Sequence, residues 1–328
     1  CLNGASRGFQ FDFRWVYDCG TTSSQRLLRA ARSEHNQDHG SRRLDLVVIS
    51  HFDADHISGI VDLLNEVGTD TLMLPWAALW HRLVIGCAQG LSPDDPDFEF
   101  YIDPVRYLED RAGEGFRRIV FVPFSDGEGS PEPKGVLEPE LDPDGKPALE
   151  IDVDKEYIEE RSEGAHEWME YISNVSGRHT VSMMRMGSSA RVLNFWEFVP
   201  YNDPTTRPKN MPDFLRIVRE LREDLLGTTQ EKREQALTNL KLHYTRVFPK
   251  SQRNDLSLFL YGGPVGDWDV HARHWFGGFL STHLHKGSII YTGDGSLATE
   301  EKWQTLSRYF QESRAFRPAV FQGPHHGS

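Results

Sequence analysis

Leu44-Asp45-Leu46-Val47-Val48-Ile49-Ser50-His51-Phe52-Asp53-Ala54-Asp55-His56-Ile57-Ser58-Gly59 is the stretch on which the reading of this chain turns. Its first residues form a short apolar run, the kind of strand that is covered on both faces inside a sheet. That strand runs directly into His51, Asp53, Asp55 and His56, four potential ligands within six residues. In a loop just after a buried strand, residues two apart can point the same way and the next pair can turn back toward them. All four can therefore face one cavity. Imidazole nitrogen with carboxylate oxygen suits zinc, manganese or iron rather than a thiolate site. Without a cation, two buried carboxylates held this close would be costly. A solvated polar loop is the alternative reading of the same residues.

Outward from the motif, the pattern is that of an α/β chain. Residues 10–20 read as a strand ending in Val16-Tyr17-Asp18-Cys19-Gly20. Residues 21–24 supply cap-type side chains, and 25–35 have helical periodicity with Leu27, Leu28 and Ala31 on one face. After the motif, 60–67 read as a helix and 71–74 as the next strand. From about residue 75 to 253 the pattern turns irregular and rich in Pro and Asp. Within it, 191–201 have strand character, and 212–226 and 230–247 read as helices, the first with Gly227 as its stop. Regularity returns with strands at 256–261 and 288–291, a helix at 300–313 and a last strand at 319–322. The expected organisation is one α/β domain over 1–328, interrupted by a large, mostly helical or irregular insertion at about 75–253. A further loop is expected at 262–286, and no internal repeat is found.

Composition narrows the class. At 328 residues and 38% apolar the chain can build a substantial core. No apolar run approaches the length that spans a bilayer, so no membrane segment is expected. The chain opens on Cys1 rather than Met and stops just after a histidine pair, which reads as a piece cut from a longer protein. Cys1, Cys19 and Cys87 are too few and too scattered for a disulfide framework or a cysteine zinc site, which favours a reducing, cytoplasmic setting. The net charge is −13, but it is unevenly spread. Residues 127–165 hold 13 acidic and 4 basic side chains with five prolines, as a loosely packed insertion would. Residues 205–255 hold 11 basic and 7 acidic ones, so a local basic surface for a polyanion remains open.

Two further strand ends carry ligand types. Ile289-Ile290-Tyr291-Thr292-Gly293-Asp294 delivers a carboxylate, with Gly293 allowing a close backbone turn. Ala319-Val320-Phe321-Gln322 leads through Gly323 and Pro324 into His325-His326-Gly327-Ser328. Each could be an ordinary turn or a surface pair; the conjunction of three such ends in this order is what points to a metal site. With these pieces in hand, the chain resembles a metallo-β-lactamase-fold hydrolase, and within that fold the ComEC-type, competence-related group and its stand-alone bacterial relatives. The pieces that match are Tyr17-Asp18-Cys19-Gly20, Ser50 through Gly59, Asn254-Asp255-Leu256-Ser257, Thr292-Gly293-Asp294 and Pro324 through Ser328.

The resemblance implies an αββα sandwich holding two divalent ions, zinc or manganese. It implies His51 and Asp53 on the first ion, Asp55 and His56 on the second, Asp294 bridging, and one of His325 or His326 completing the second site. Asp18 would orient ligands through hydrogen bonds, with Asn254 and Ser257 in the same supporting role. Asp55 and Asp294 would be the residues closest to the chemistry. Asp53 stands where the lactamases usually carry His, which hardens the first site and favours manganese or a mixed preference. A third histidine for the first ion is missing from the matching stretch, which offers Asn254 and Asp255; His179 is a substitute on residue type alone. His271, His274, His283 and His285 read as a loop near Asp294, lining the cleft or simply solvated.

Two ions bridged by a carboxylate lower the pKa of a shared water and hold the resulting hydroxide for attack. The fold leaves the substrate open. Phosphodiester hydrolysis, with DNA as a candidate substrate, is favoured by the Asp-rich first site, by the resemblance and by the basic run Arg216, Arg219, Arg222, Lys232, Arg233, Lys241, Arg246, Lys250 and Arg253. Those residues also fit a solvated helix face. The alternatives are a hydrolase of a lactone, thioester or cyclic nucleotide, and a metal-binding interaction domain of a larger bacterial defence or signalling assembly, with a protein partner on the insertion.

Overall fold

The computed structural model describes residues 2–6, 9–21, 26, 29–30, 33, 42–77, 79–88, 91, 95–125, 129–131, 148–154, 179–193, 196–203, 216–217, 220–221, 224, 229–247, 257–265, 271–276, 279–284, 288–315, 318 and 320–322. The strands in chain order are β1 (Leu2–Ser6), β2 (Phe9–Phe13), β3 (Trp15–Tyr17), β4 (Leu44–Val48), β5 (Thr69–Pro75), β6 (Phe116–Val122), β7 (Leu149–Ile151), β8 (Thr180–Met183), β9 (Ala190–Val192), β10 (Trp196–Asn202), β11 (Leu258–Pro264), β12 (His271–Phe276), β13 (Phe279–Leu284), β14 (Ile289–Tyr291) and β15 (Val320–Phe321). The helices are α1 (Ala54–Ile57), α2 (Ile60–Glu66), α3 (Leu79–Ala88), α4 (Phe98–Ile102), α5 (Pro104–Ala112), α6 (Gln230–Val247) and α7 (Glu300–Ala315).

Side-chain alternation along the strands builds the layers. A five-stranded sheet runs β3-β4-β5-β6-β8 with every neighbouring pair parallel. A six-stranded sheet runs β15-β14-β11-β10-β9-β7, antiparallel except at β14–β15. Leu46 and Val48 of β4, Met73 of β5 and Val120 and Val122 of β6 pack against Val192, Trp196, Phe198, Leu258 and Leu260 of the second sheet. The intervening residues Val47, Leu72, Leu74, Ile119 and Phe121 point the other way, onto Leu63, Leu64, Phe100, Tyr101, Val105 and Leu108 of the helices. On the far side, Val199, Tyr201, Phe259 and Tyr261 meet Leu306, Tyr309 and Phe310 of α7. The result is helix, sheet, sheet, helix, the αββα arrangement expected. Each fully buried Leu, Val or Phe in these layers contributes about 1.5–3 kcal/mol, so both faces of the first sheet had to be apolar.

Local chemistry fixes the element ends. Asp103 caps α5 by accepting the Arg106 N–H at 3.0 Å, and Pro104 follows at the first helical position. A buried ion pair ties α7 to β10: Arg314 Nε and Nη2 donate to the two Glu197 carboxylate oxygens at 2.7 and 2.9 Å. Arg314 Nη1 also donates to the Ser130 carbonyl at 2.6 Å.

Residues 75–253, read above as an interruption, supply β6, β7, β8, β9 and β10 to the two sheets. Even the acidic stretch contributes: β7 forms the edge of the second sheet beside β9. Of these, β9 and β10 fall largely in the stretch 191–201 read as strand, whereas β7 and β8, of 3 and 4 residues, are too short to carry a periodic pattern. The helix expected at 230–247 is α6, and Arg216, Ile217, Glu220, Leu221 and Asp224 of the helix expected at 212–226 are helical. The loop expected at 262–286 contains β12 and β13, an antiparallel hairpin with a two-residue connection, from His271↔Leu284 to Phe276↔Phe279. Among the described residues no helix is long and apolar enough to cross a membrane.

Candidate metal centre

The site lies at one end of the sandwich. The parallel strands β3 and β4 both end there, β14 ends there, and the antiparallel β11 begins there. The two sheets are joined at this point by the Leu258 N–H donating to the Ser50 carbonyl at 2.8 Å, and by Tyr17 Oη donating to the Leu258 carbonyl at 2.6 Å. The Tyr17 and Tyr291 rings stack with centroids 4.6 Å apart across the same seam. Burial, and then the Asp18 charge, hold the Tyr17 phenol well above its usual pKa, so it stays a donor.

The loop after β3 carries Asp18 in a left-handed conformation, φ 58°. Its backbone N–H donates to the Val48 carbonyl at 2.8 Å, while the Cys19 N–H donates to the His56 carbonyl at 3.0 Å and the Gly59 N–H to the Cys19 carbonyl at 3.0 Å. Gly20 closes this contact. A Cβ there would lie 2.5 Å from the backbone carbons of Asp55 and His56, so only glycine lets the two loops lie flush.

The loop after β4 then presents its side chains. Asp53 occupies the N-cap of α1 but makes no capping hydrogen bond, which leaves its carboxylate directed elsewhere. Asp53 Oδ2 lies 3.7 Å from His51 Nε2, and Asp294 Oδ2 lies 3.8 Å from the same nitrogen. His56 Nε2 lies 3.6 Å from Asp55 Oδ2 and 3.4 Å from Asp294 Oδ1. The two imidazole rings have centroids 3.9 Å apart. His51, His56 and Asp294 each offer an atom within 4.8 Å of the others, and so do His51, Asp53 and Asp55.

Behind these groups lies a second layer of hydrogen bonds. Asp18 Oδ1 accepts the Ser50 N–H at 2.7 Å, and Asp18 Oδ2 accepts from Ser50 Oγ at 2.8 Å and pairs with His56 Nδ1 at 2.8 Å. Burial alone would lower the His56 pKa, but the hydrogen bond and charge of Asp18, with Asp55 and Asp294, outweigh it and raise the pKa. Ser257 Oγ accepts the Asp294 N–H at 3.0 Å. Gly293, at φ +53°, brings Asp294 over Ser50 and Ser257; a Cβ there would meet Ser50 Cβ and Oγ at 2.8 Å.

The donor set fits divalent ions. Two ligand atoms bound at about 2.1 Å and a near-tetrahedral angle stand roughly 3.4 Å apart, and the separations of 3.4–3.8 Å fall just above that. All four lie beyond the roughly 2.7–3.2 Å of an ordinary N–H···O hydrogen bond. His51 Nε2 is buried and makes no hydrogen bond among the described residues. A buried polar atom so placed costs about 1–3 kcal/mol unless something meets it.

Of the residues singled out from sequence, Asp18, His51, Asp53, Asp55, His56, Ser257 and Asp294 are brought to this end of the sandwich. Asn254, Asp255, His325 and His326 lie outside the described residues. His179 does not come here: it precedes β8, whose first residue pairs with Arg118 at the opposite end of the parallel sheet, and its ring lies 4.3 Å from that of Phe116. His271, His274 and His283 sit on β12 and β13, which form a two-stranded sheet of their own, and His285 lies outside the described residues. Two residues escaped the sequence reading. Ser50 is an inconspicuous residue between an apolar strand and the first histidine. His81, on α3, is buried beside the Asp53 charge; burial above all lowers its pKa to about 3, so it stays neutral. Only its helical register under the motif could have flagged it.

Residues 13–130 match the model of the metallo-beta-lactamase superfamily, just over a third of the chain. The match includes Asp18 and the whole of the β4 motif and stops well before Ser257 and Asp294. No curated protein and no solved structure matches the chain.

Proposed function

We propose that the chain is a metal-dependent hydrolase of the ComEC-type group that cleaves phosphodiester bonds, with DNA as the first substrate to try. The observation that carries this reading is the gathering of His51, His56, Asp53, Asp55 and Asp294 around one space at ligand spacing. In this reading His51 and Asp53 would hold one ion and Asp55 and His56 another, with one of His325 or His326 completing the second. Asp294, within reach of both imidazoles, is suited to bridging. When bound, such ions act as Lewis acids on a phosphoryl oxygen and on a water.

The chain's own groups would position and shield. Asp18 orients His56, Ser257 steadies the Asp294 backbone, and Phe52, Ile49 and Val48 keep bulk water from the underside of the loop. Three carboxylates against two imidazoles make a hard donor set, which supports manganese or zinc and phosphoryl chemistry. Arg216 and Lys232 are exposed, and α6, which carries Lys232, rests against α3. That helix begins where β5 ends, on the side of the site, so a polyanion bound there would lie near the metals.

The test is cleavage of end-labelled single- and double-stranded DNA by metal-stripped protein after manganese or zinc is restored. The parent should cut, and Asp294→Ala should fall to background with its circular dichroism unchanged. Activity that survives this change would overturn the reading. A parent that binds metal and cuts neither DNA would redirect it to a small-molecule ester or lactone.

A further inference from the structure

We propose that a single carboxylate, Asp18, sets the tautomer of both metal-facing histidines: His56 directly and His51 through the hydroxyl of Ser50, which acts as a relay. The inference rests on the reading of His51 and His56 as ligands, and concerns how the protein keeps their Nε2 lone pairs available before any ion arrives.

The protons around Ser50 can be counted. Ser50 Oγ has one proton and stands 2.8 Å from Asp18 Oδ2 and 2.8 Å from His51 Nδ1. An ionised carboxylate cannot donate, so the contact with Asp18 takes the Ser50 proton. Were the proton turned toward His51, two oxygen acceptors would face each other at 2.8 Å with nothing between them. Ser50 Oγ must then accept, and the His51 Nδ1–H is what it accepts. His51 therefore carries its proton on Nδ1 and leaves Nε2 bare, toward Asp53 and Asp294 at 3.7 and 3.8 Å. The same logic applies directly at His56, whose Nδ1 lies 2.8 Å from Asp18 Oδ2 and only 3.3 Å from Ser50 Oγ. Its Nε2 faces Asp55 and Asp294.

Ser257 is the competing partner. Its hydroxyl stands 3.4 Å from His51 Nδ1 and could in principle donate there, which would place the imidazole proton on Nε2. At that length it is much the weaker contact. Ser50 is fully buried and Ser257 nearly so, so no bulk water replaces either hydroxyl. Gly293 makes the space that Ser50 uses: a Cβ there would stand 2.8 Å from Ser50 Cβ and Oγ, so only glycine lets the hydroxyl keep this place.

The experiment reads histidine tautomers in metal-free protein by long-range proton–nitrogen correlation at alkaline pH, where imidazoles are neutral. The parent should show His51 and His56 both protonated on Nδ1. Ser50→Ala should release His51 to the other tautomer or a mixture and leave His56 unchanged, whereas Asp18→Asn should disturb both. Ser257→Ala should leave the His51 tautomer as in the parent. Zinc affinity, measured against a chelator, should fall about ten- to a hundredfold in Ser50→Ala. A parent with His51 protonated on Nε2 would overturn the relay, and needs no variant to fold. So would a folded Ser50→Ala in which the His51 tautomer does not move. Because the tautomers are read without metal or substrate, a failure to hydrolyse DNA would sink the proposed function and leave this result intact.

Discussion

Two buried polar clusters in this molecule obey opposite rules. At Arg314, a guanidinium meets both oxygens of Glu197 and the carbonyl of Ser130, with both side chains 2–3% exposed. At the other cluster, four carboxylates, Asp18, Asp53, Asp55 and Asp294, gather round two imidazoles, and the buried His51 Nε2 makes no hydrogen bond among the described residues. The first is complete in itself: opposite charges, short bidentate contacts, donors used. The second is built from like charges held apart by a layer of hydrogen bonds behind them. A fold tolerates the first for its own architecture, but the second makes physical sense as a place for something positive.

The contrast can be broken most decisively at Arg314. Arg314→Met leaves Glu197 buried without its partner and should cost about 3–5 kcal/mol in urea unfolding. Adding Glu197→Leu should recover most of that loss, since an apolar pair of similar volume is commonly tolerated. A loss below about 1 kcal/mol would mean that the pair behaves like a surface contact. The metal cluster should respond the other way. Manganese or zinc at a hundredfold above its dissociation constant should stabilise the parent by about 2.7 kcal/mol, read as a rise in Tm, and Asp294→Ala should lose most of that rise. A melting temperature that ignores both ions would remove the reason to set the two clusters apart.

Asp45 sharpens the comparison from between the extremes. Its carboxylate accepts the Arg14 N–H at 2.7 Å and stands 3.6 Å from Arg42, yet burial outweighs both and pushes its pKa up to about 6. The neutral form is the one the fold prefers. Its contribution is thus present in full below the ordinary Asp range near 4 and is lost as pH rises to about 6. Relative to Asp45→Asn, the parent should lose about 1–2 kcal/mol across that window, and parallel stability–pH curves for the two proteins would show that Arg14 and Arg42 suffice.

Much of this was legible in the chain. Val47-Val48-Ile49 announces a strand covered on both faces, and His51, Asp53, Asp55 and His56 can share a cavity only if that strand ends beneath them, as it does. Thr292-Gly293-Asp294 was legible for the same reason. What could not be read depends on distance in space. Leu149 in an acidic run becomes a sheet edge only because Val192 is there to pair with it. Ser50 gains its place from Asp18, and Glu197 from Arg314, in both cases across contacts that leave no mark on local periodicity. His179 shows the converse: the right residue type, at the wrong end of the strands.

The seam at Leu258 and Ser50 has a consequence for assembly. One half of the ligand set grows out of the parallel sheet near the start of the chain, and Asp294 arrives with the mixed sheet near its end. Neither half can be finished until the two slabs have docked in register, and such long-range pairing is the slow part of folding. The site therefore serves as a built-in gauge of completed tertiary structure, and an ion lodged there would rivet the slabs at the one place where a slip between them would show first.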